Sequence, residues 1–496
     1  MGGASGATLI SPEQSEQASI LAGMAGSGTA EDPYEITNAT ELQAMNEDLD
    51  AHYVLVEDID ASGTRSWNGG QGFDPIGDSR ADFTGTFDGQ NHTISGLSIR
   101  RDGTSSVGLF AEIEESATAR DVRLTDATVS GDQRVGGLAG TLGGKAVGIG
   151  VSGEVSGTSK IGGIAGNTLE ESLITESFAT ANVEGEGKIG GLVGKTRGAV
   201  LRSYATGAVS GSFTVGGLIG EMASSGPSVR NSYATGSVSG RTTVGGLVGE
   251  IGRTGSLTKS YASGPVSGSE DVGGVVGIGG NYVSDAYWNV ETAGVDDPAV
   301  GYSNTDRQFT GLTTEEMTGS AAGENMDALD TEFAWTMTDN YPVLQWQVDS
   351  ISLSVPDQVI TGQPADVTAS AALTDGRSVP VTETADYSVN ESFLSVSDGT
   401  LETTDTGTVE LTATVGDTST TETIDVVTPA DISLTDATLP YDRVGTDVDA
   451  PMSTAKSSNH GLSTSRATPS RQSSTTGRHR APASTKSPST IPVWVR

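Results

Sequence analysis

Val135-Gly-Gly-Leu-Ala-Gly140 is the first of six spellings of one phrase, followed by Ile161-Gly-Gly-Ile-Ala-Gly166, Ile189-Gly-Gly-Leu-Val-Gly194, Val215-Gly-Gly-Leu-Ile-Gly220, Val244-Gly-Gly-Leu-Val-Gly249 and Val272-Gly-Gly-Val-Val-Gly277. Their first residues are 26, 28, 26, 29 and 28 positions apart, a period that belongs to stacked repeats rather than to a conventional globular core. The repeat therefore decides the fold. The paired glycines, Gly136 and Gly137, Gly162 and Gly163, Gly190 and Gly191, Gly216 and Gly217, Gly245 and Gly246, Gly273 and Gly274, mark one structural position in each unit.

Ahead of the phrase lies a second recurring segment: Ser177-Phe-Ala-Thr-Ala, Ser203-Tyr-Ala-Thr-Gly, Ser232-Tyr-Ala-Thr-Gly and Ser260-Tyr-Ala-Ser-Gly. Phe178, Tyr204, Tyr233 and Tyr261 thus hold one place in successive units. The segments are short, β-branched and punctuated by glycine, which predicts strands separated by turns and leaves no window for a long helix. A lone coil of three short strands can neither pair its backbone nor bury its apolar side. Stacking solves both, each strand bonding to its equivalents at roughly 4.8 Å per layer. The expectation is a β-solenoid with ladders of equivalent side chains. Two explanations of the glycine pair stay open: a left-handed φ at a corner, or close backbone approach in a narrow coil. Val215 and Leu218 are out of step with strict alternation, which predicts a bulge or corner between them.

The 496 residues carry 64 acidic and 27 basic side chains, a formal charge of −37, and no cysteine. Lysine is scarce, with seven in all, so 20 of the basic residues are arginine. Such a chain repels nucleic acid and anionic membranes, and it repels itself unless salt screens it. The balance is that of proteins adapted to high salt. Disulfides and thiol chemistry are excluded. Met1 to Ala25 show no basic n-region and no sustained apolar run, so no secretory signal is read and the stretch is expected to be disordered. No segment has the roughly 20 apolar residues that a membrane-spanning helix needs.

Residues 26–106 read as an N-terminal cap and first coils over the open strand edge, with one short helix from Leu42 to Leu49. Val107-Gly-Leu-Phe110 lies 28 residues before Val135 and reads as the repeat in a variant spelling. Together the Gly-Gly-Leu-Val-Gly phrase, Phe83-Thr-Gly-Thr-Phe-Asp-Gly89 and the closing Tyr287-Trp-Asn-Val-Glu-Thr-Ala-Gly294 resemble the GLUG-motif repeat proteins, adhesin-like chains that are secreted or attached to surfaces. The resemblance covers about residues 26–347. It implies a right-handed parallel β-helix over 107–290 and an extracellular or cell-surface location, and it carries no catalytic residue.

Residues 291–348 are expected to close the solenoid at its C-terminal end. Thr313 and Glu316 form a capping box for a short helix. The aromatics from Phe333 to Trp346 are expected to plug the open edge, with a sugar-stacking platform as the rival. Thr/Val alternation over 349–430, with turns at Asp375-Gly376 and Asp398-Gly399, predicts an antiparallel sandwich that resembles a bacterial Ig-like domain. From 431 to 496 a disordered tail is expected. Its last 46 residues, from Pro451, hold seven basic residues and no acidic one, leaving 20 basic against 64 acidic, or −44, in the rest. So abrupt a break reads as a frameshifted end in preference to a basic arm.

Chemistry is sparse. His52, His92, His460 and His479 have no metal-ligand spacing, and neither a metal nor a cofactor is expected. Ile189-Gly-Gly-Leu-Val-Gly-Lys-Thr196 lacks the first glycine of a phosphate-binding loop and is rejected. Asp58 and Asp60 read as strand-end carboxylates rather than a calcium loop. Asn38, Asn91 and Asn390 head glycosylation sequons. The expected role is non-catalytic adhesion or glycan binding at a surface in high salt, with polysaccharide as partner and no nucleic acid. The alternatives are a polysaccharide lyase or glycoside hydrolase using a groove along the helix, with carboxylates such as Asp88, Asp126 and Asp132, and a mechanical stalk.

Overall fold

The computed structural model describes residues 12–429, apart from 79, 280–281, 296–298 and 301–308. The tail over 431–496 and its frameshift reading lie outside the described residues. The repeats stack as a parallel β-solenoid of about seven turns, counted from Val107 to Val272. Val107 bridges Val135, and Val135, Ile161, Ile189, Val215, Val244 and Val272 pair one above the next in parallel register. The variant spelling at Val107 is therefore a true turn.

One coil shows how the sequence bends. Leu173–Thr175, Phe178–Ala179 and Asn182–Glu184 belong to a first, long sheet, Gly187–Gly190 to a second and Val193–Thr196 to a third. Five short strands in three sheets replace the three strands read from the sequence. The corners fall at non-glycine residues. Immediately before each hexad, Ser106, Arg134, Lys160, Lys188, Thr214, Thr243 and Asp271 have φ between 53° and 61°. A second left-handed column, Glu176, Arg202, Asn231 and Lys259, has φ between 45° and 50°.

The corner explanation of the glycine pairs is thereby corrected: neither Gly136 nor Gly137 is left-handed, nor Gly162, Gly163, Gly190, Gly191, Gly216, Gly217, Gly245, Gly246, Gly273 or Gly274. Their role is close approach. A Cβ on Gly136 or Gly162 would stand 2.4 Å from the carbonyl oxygen three residues on, that of Ala139 or Ala165. The second glycine of each pair faces the next layer. A Cβ on Gly137 would stand 2.7 Å from Gly163 O, and one on Gly163 would stand 2.4 Å from Gly191 O. On Gly191, Gly217 and Gly246 the gap to the carbonyl of the next pair narrows to 2.2 Å. Gly274 ends the series differently, because the indole of Trp288 covers it and would lie 2.4 Å from an added Cβ. Between Gly216 and Ile219 the chain turns from the second sheet to the third, which lets both Val215 and Leu218 point inward.

The left-handed residue before each serine breaks the strand ladder and leaves the next amide without its usual partner. The serine restores it. Ser177 N donates to Ser203 Oγ at 3.2 Å, Ser203 N to Ser232 Oγ at 3.3 Å and Ser232 N to Ser260 Oγ at 3.2 Å. Each of these hydroxyls from Ser203 to Ser260 donates in turn to the carbonyl two residues back, at 2.8–2.9 Å. These serines are fully buried, so the invariant spelling has a direct cause: a buried amide must be paired.

At the N-terminal end the expectation of disorder is corrected over residues 12–25. Pro12–Leu21 is helical, and Leu21 and Met24 are buried in the solenoid core because they are the apolar side chains available to cover its open end. Residues 1–11 are not among those described. The helix expected over Leu42 to Leu49 starts earlier, as Ala39–Ala44, because Asn38 Oδ1 accepts the amides of Thr40 and Glu41 at 3.0 Å. It continues as a 3-10 turn, Met45–Glu47.

After the last coil the Thr313/Glu316 box forms, with Thr313 N to Glu316 Oε2 at 2.8 Å, and opens a 3-10 turn, Glu315–Met317. The aromatics that follow do not plug the C-terminal edge. They run back along the flank of the solenoid and cover the tyrosine column, an apolar surface that faces away from the core. Residues 348–427 form small, chiefly antiparallel sheets around a core that includes Leu353, Val367, Leu401, Leu411 and Ile424. One pair, Gln358–Ile360 with Thr418–Val427, is parallel. Solenoid and sheets belong to one compact unit.

Candidate functional surfaces

Phe178, Tyr204, Tyr233, Tyr261 and Tyr287 pair in register as a single column. The rings of the first four stack with centroids 5.3, 4.9 and 5.0 Å apart and planes within 7° of parallel. A bare column of this kind would be a platform for sugar rings. Here it is covered. Trp335 lies against Tyr233 and Tyr261, and Trp346 against Phe178 and Tyr204. Each indole is anchored on the solenoid: Trp335 Nε1 donates to Asn231 Oδ1 at 3.3 Å and Trp346 Nε1 to Arg202 O at 2.9 Å.

The phenols are spoken for as well. Tyr204 donates to Asp375 Oδ2 at 2.7 Å, Tyr261 to Pro342 O at 2.7 Å, and Tyr233 exchanges hydrogen bonds with the Gln347 amide. Arg377 lies over the Tyr204 ring at 5.7 Å while pairing with Asp375. Burial pushes the Tyr204 and Tyr261 hydroxyls far above their ordinary range and that of Tyr233 to about 12. The ladder is a structural seam. The Asp375 turn, read from the sequence as a hairpin signal, is also the clasp that holds the following sheets to the coils.

The acidic candidates do not converge. Asp88 pairs with Arg120 at 2.5 Å, and its register partner in the next coil is that same arginine. Asp126 is an exposed corner residue with φ 52°, and the backbone oxygen of Asp132 accepts the amides of Thr158 and Ser159. Asp58 Oδ1 accepts the Thr93 amide at 2.8 Å and meets His92 Nδ1 at 3.2 Å, which holds its carboxyl below the usual range. Among the described residues no three histidine, aspartate or glutamate side chains gather as metal ligands. Lys195 of the rejected phosphate loop lies in a strand and pairs with Glu221 at 2.5 Å, while Thr196 is buried. The sequon side chain of Asn38 is the helix cap, and Asn390 Oδ1 accepts the Glu410 amide.

What the sequence did not reveal is an open cleft of about 1050 Å³ beside the N-terminal coils. Its walls bring together Asn46, Asn68, Gln71, Asp74, Arg101 and Arg134, drawn from the cap helices, the 62–81 excursion and the first coils. Arg101 is fixed there by Asp74 at 2.9 Å, Gln71 Oε1 at 2.8 Å and Phe73 O at 3.2 Å. Asp82, beside the cleft residue Asp78, has its carboxyl raised by burial and by the charges of Glu112, Glu114 and Asp78. These residues are scattered over ninety positions of sequence with no shared motif, and only the folding of the excursion onto the coils unites them.

No protein-family model matches the chain. Over 165 residues, 32% of its length, it is 42% identical to halomucin of Haloquadratum walsbyi, of which the match covers 2%. Over 109 residues, 22% of its length, it is 38% identical to a putative Gly-rich membrane protein of Evansella cellulosilytica, covering 12% of that protein. The chain therefore spans a small fraction of either relative. A solved structure of an IgA1 protease overlays 75% of the chain and 34% of its own length at a TM-score of 0.40 and 18% identity. Among the described residues no helix is long and apolar enough to cross a membrane.

Proposed function

We propose that this is a non-catalytic, surface-displayed β-solenoid of the GLUG-repeat type, followed by an Ig-like module, and that it binds glycan in a high-salt setting. The observation that carries the reading is the cleft. Amide, carboxylate and guanidinium side chains converge in an open space of about 1050 Å³. Planar polar groups that both donate and accept are the complement of a sugar's hydroxyls. The partial likeness to halomucin and the excess of 64 acidic over 27 basic residues support a surface role in salt. A glycan array probed with the full chain in molar salt tests this. Retention that is lost in Asn46→Ala and Gln71→Ala is the expected result, and retention of no glycan overturns it.

One observation favours a second reading. The raised Asp82 carboxyl, set among Glu112, Glu114 and Asp78, is the kind of environment that a general acid needs. Incubation with acidic and neutral polysaccharides separates the two. New reducing ends or unsaturated sugars support a hydrolase or lyase, and retention without cleavage supports the binder. A mechanical stalk gives neither.

A further inference from the structure

The chain holds 27 basic residues against 64 acidic ones, yet five cations gather on one surface of the solenoid. Arg134, Lys160 and Lys188 each occupy the left-handed corner before a hexad, with φ of 55°, 61° and 59°. Ile161 pairs with Val135 on one side and Ile189 on the other, so these three corners stand in consecutive layers, roughly 4.8 Å apart. Lys195 lies in the third-sheet strand Val193–Thr196, and Arg197 directly follows that strand.

The cations at the margins have partners. Lys188 and Lys195 both clamp Glu221, at 2.6 and 2.5 Å, Arg197 donates to Asn167 Oδ1 at 3.1 Å, and Arg134 bonds Ser106 Oγ at 2.8 Å with Glu112 at 4.0 Å. Lys160, in the middle, has no carboxylate within ion-pair distance among the described residues. Burial and the charges of Arg134, Lys188, Lys195 and Arg197 push its ammonium below the usual range. Its ammonium is therefore free to take a counter-charge from outside the chain. Arg134 also lines the cleft, so the cationic ridge and the cleft are one continuous surface.

We propose that the ridge Arg134–Lys160–Lys188, flanked by Lys195 and Arg197, is a binding track for a linear anionic glycan, carboxylated or sulfated, whose chain continues into the cleft. The proposal rests on the glycan-binding reading and specifies the class of glycan. A rigid column of cations one layer apart matches a polymer with anions at regular intervals. Duplex nucleic acid fits less well. It places a charge about every 1.7 Å along its axis and would meet the repulsion of the remaining acidic surface. Stacking of single-stranded bases calls for exposed rings. Of the exposed rings among the described residues, Phe213 is engaged by Arg241, 5.0 Å from its centroid, while Tyr282 stands on a strand of the first sheet and Phe333 in the segment after the last coil, away from the ridge strands.

The test measures retention of the full chain on immobilised alginate, chondroitin sulfate, neutral dextran and duplex DNA, as salt is raised. The variants are Lys160→Glu, Lys160→Gln and, on a different face, Lys145→Glu. Thermal melts of all three accompany the binding curves, because a charge change at the surface should leave the fold intact. The expected result is that Lys160→Glu weakens binding to alginate or chondroitin sulfate roughly tenfold at low salt and flattens the salt dependence by about one to two contacts. Lys160→Gln should have an intermediate effect and Lys145→Glu little. Tighter binding to alginate, which carries carboxylate alone, identifies carboxylate as the preferred anion, and tighter binding to chondroitin sulfate, which carries both groups, shows that the track takes sulfate as well. Equal loss in Lys145→Glu overturns the track, as does undiminished binding by a folded Lys160→Glu. Tighter retention on DNA than on either acidic glycan overturns the partner class. Binding to dextran that depends on Asn46 and Gln71 but not on Lys160 overturns the track and leaves the cleft reading standing, whereas retention of no glycan removes both.

Discussion

Tyr204 and Tyr233, in register on adjacent coils, stack with centroids 4.9 Å apart and planes 3° from parallel, and each sends its hydroxyl to a different part of the chain that follows the solenoid. The column thus joins three things at once: layer to layer, coil to covering segment, and solenoid to the sheets after it.

Removing one ring should be felt at all three. Tyr233→Ala takes away a fully buried ring and one hydrogen-bond partner of both Gln347 and Arg377, which keep the Leu344 amide and Asp375, a loss of about 3–5 kcal/mol by comparison with large-to-small aromatic changes. Tyr233→Phe keeps the stack and should cost about 1 kcal/mol. Denaturant unfolding of the two variants checks the ordering, and equal losses would show that the stack adds nothing beyond the hydroxyl.

The glycine pair makes a sharper contrast. Gly191→Ala drives a methyl to within 2.2 Å of a backbone carbonyl, whereas Gly187→Ala, four residues away, meets its nearest atom at 3.8 Å. Overpacking against backbone costs about 1–3 kcal/mol or more, so Gly191→Ala should lower the melting temperature clearly. Gly187→Ala should be nearly silent.

Ser203→Ala strips the acceptor from the buried Ser177 amide and also removes the bond to Leu201 O. A buried donor left unpaired costs about 1–3 kcal/mol. Hydrogen exchange gives the local readout: the Ser177 amide should lose protection in the variant, and unchanged protection would count against the serine as its acceptor.

Two paired carboxylates should respond to acid in opposite senses. Glu221 and Glu250 are neighbours in register. Burial raises Glu221, but hydrogen bonds and charge from Lys188 and Lys195 outweigh it and hold the group below its usual range. Its contribution is present at neutral pH and is lost as pH falls through that lowered value. Glu250 is raised, by burial and then by Glu221, so its charged form opposes folding above its raised value. Glu250→Gln should therefore raise the melting temperature at neutral pH, and the gain should fade as pH falls through the raised value and be gone below the ordinary glutamate value of 4.5. A gain that persisted in acid would contradict this assignment.

The solenoid was legible because its period is written six times over, and stacking is the one arrangement that pairs such short strands. The corners were not. Glycine is the residue expected at a left-handed φ, but here Gly137, Gly163 and their equivalents lie where carbonyls crowd, and the corners fall to Arg134, Lys160 and Lys188. Nor could the sequence say where Trp335 and Trp346 would dock. An open end and an outward-facing ladder both offer apolar surface, and only the orientation of the Ser-Tyr-Ala segment, alanine in and tyrosine out, decides between them. The cleft was invisible because Asn46, Asn68, Gln71 and Arg101 share no spacing, and each alone reads as ordinary surface.

The covering of the tyrosine column also fixes an order in time. The column is complete at Tyr287, before Trp335 or Trp346 has left the ribosome, and its clasp at Asp375 comes later still. A chain emerging from its N-terminus therefore carries a wet stripe of stacked rings until its last third arrives. Truncation anywhere between those points would leave a sticky rod where the finished molecule has a sealed one.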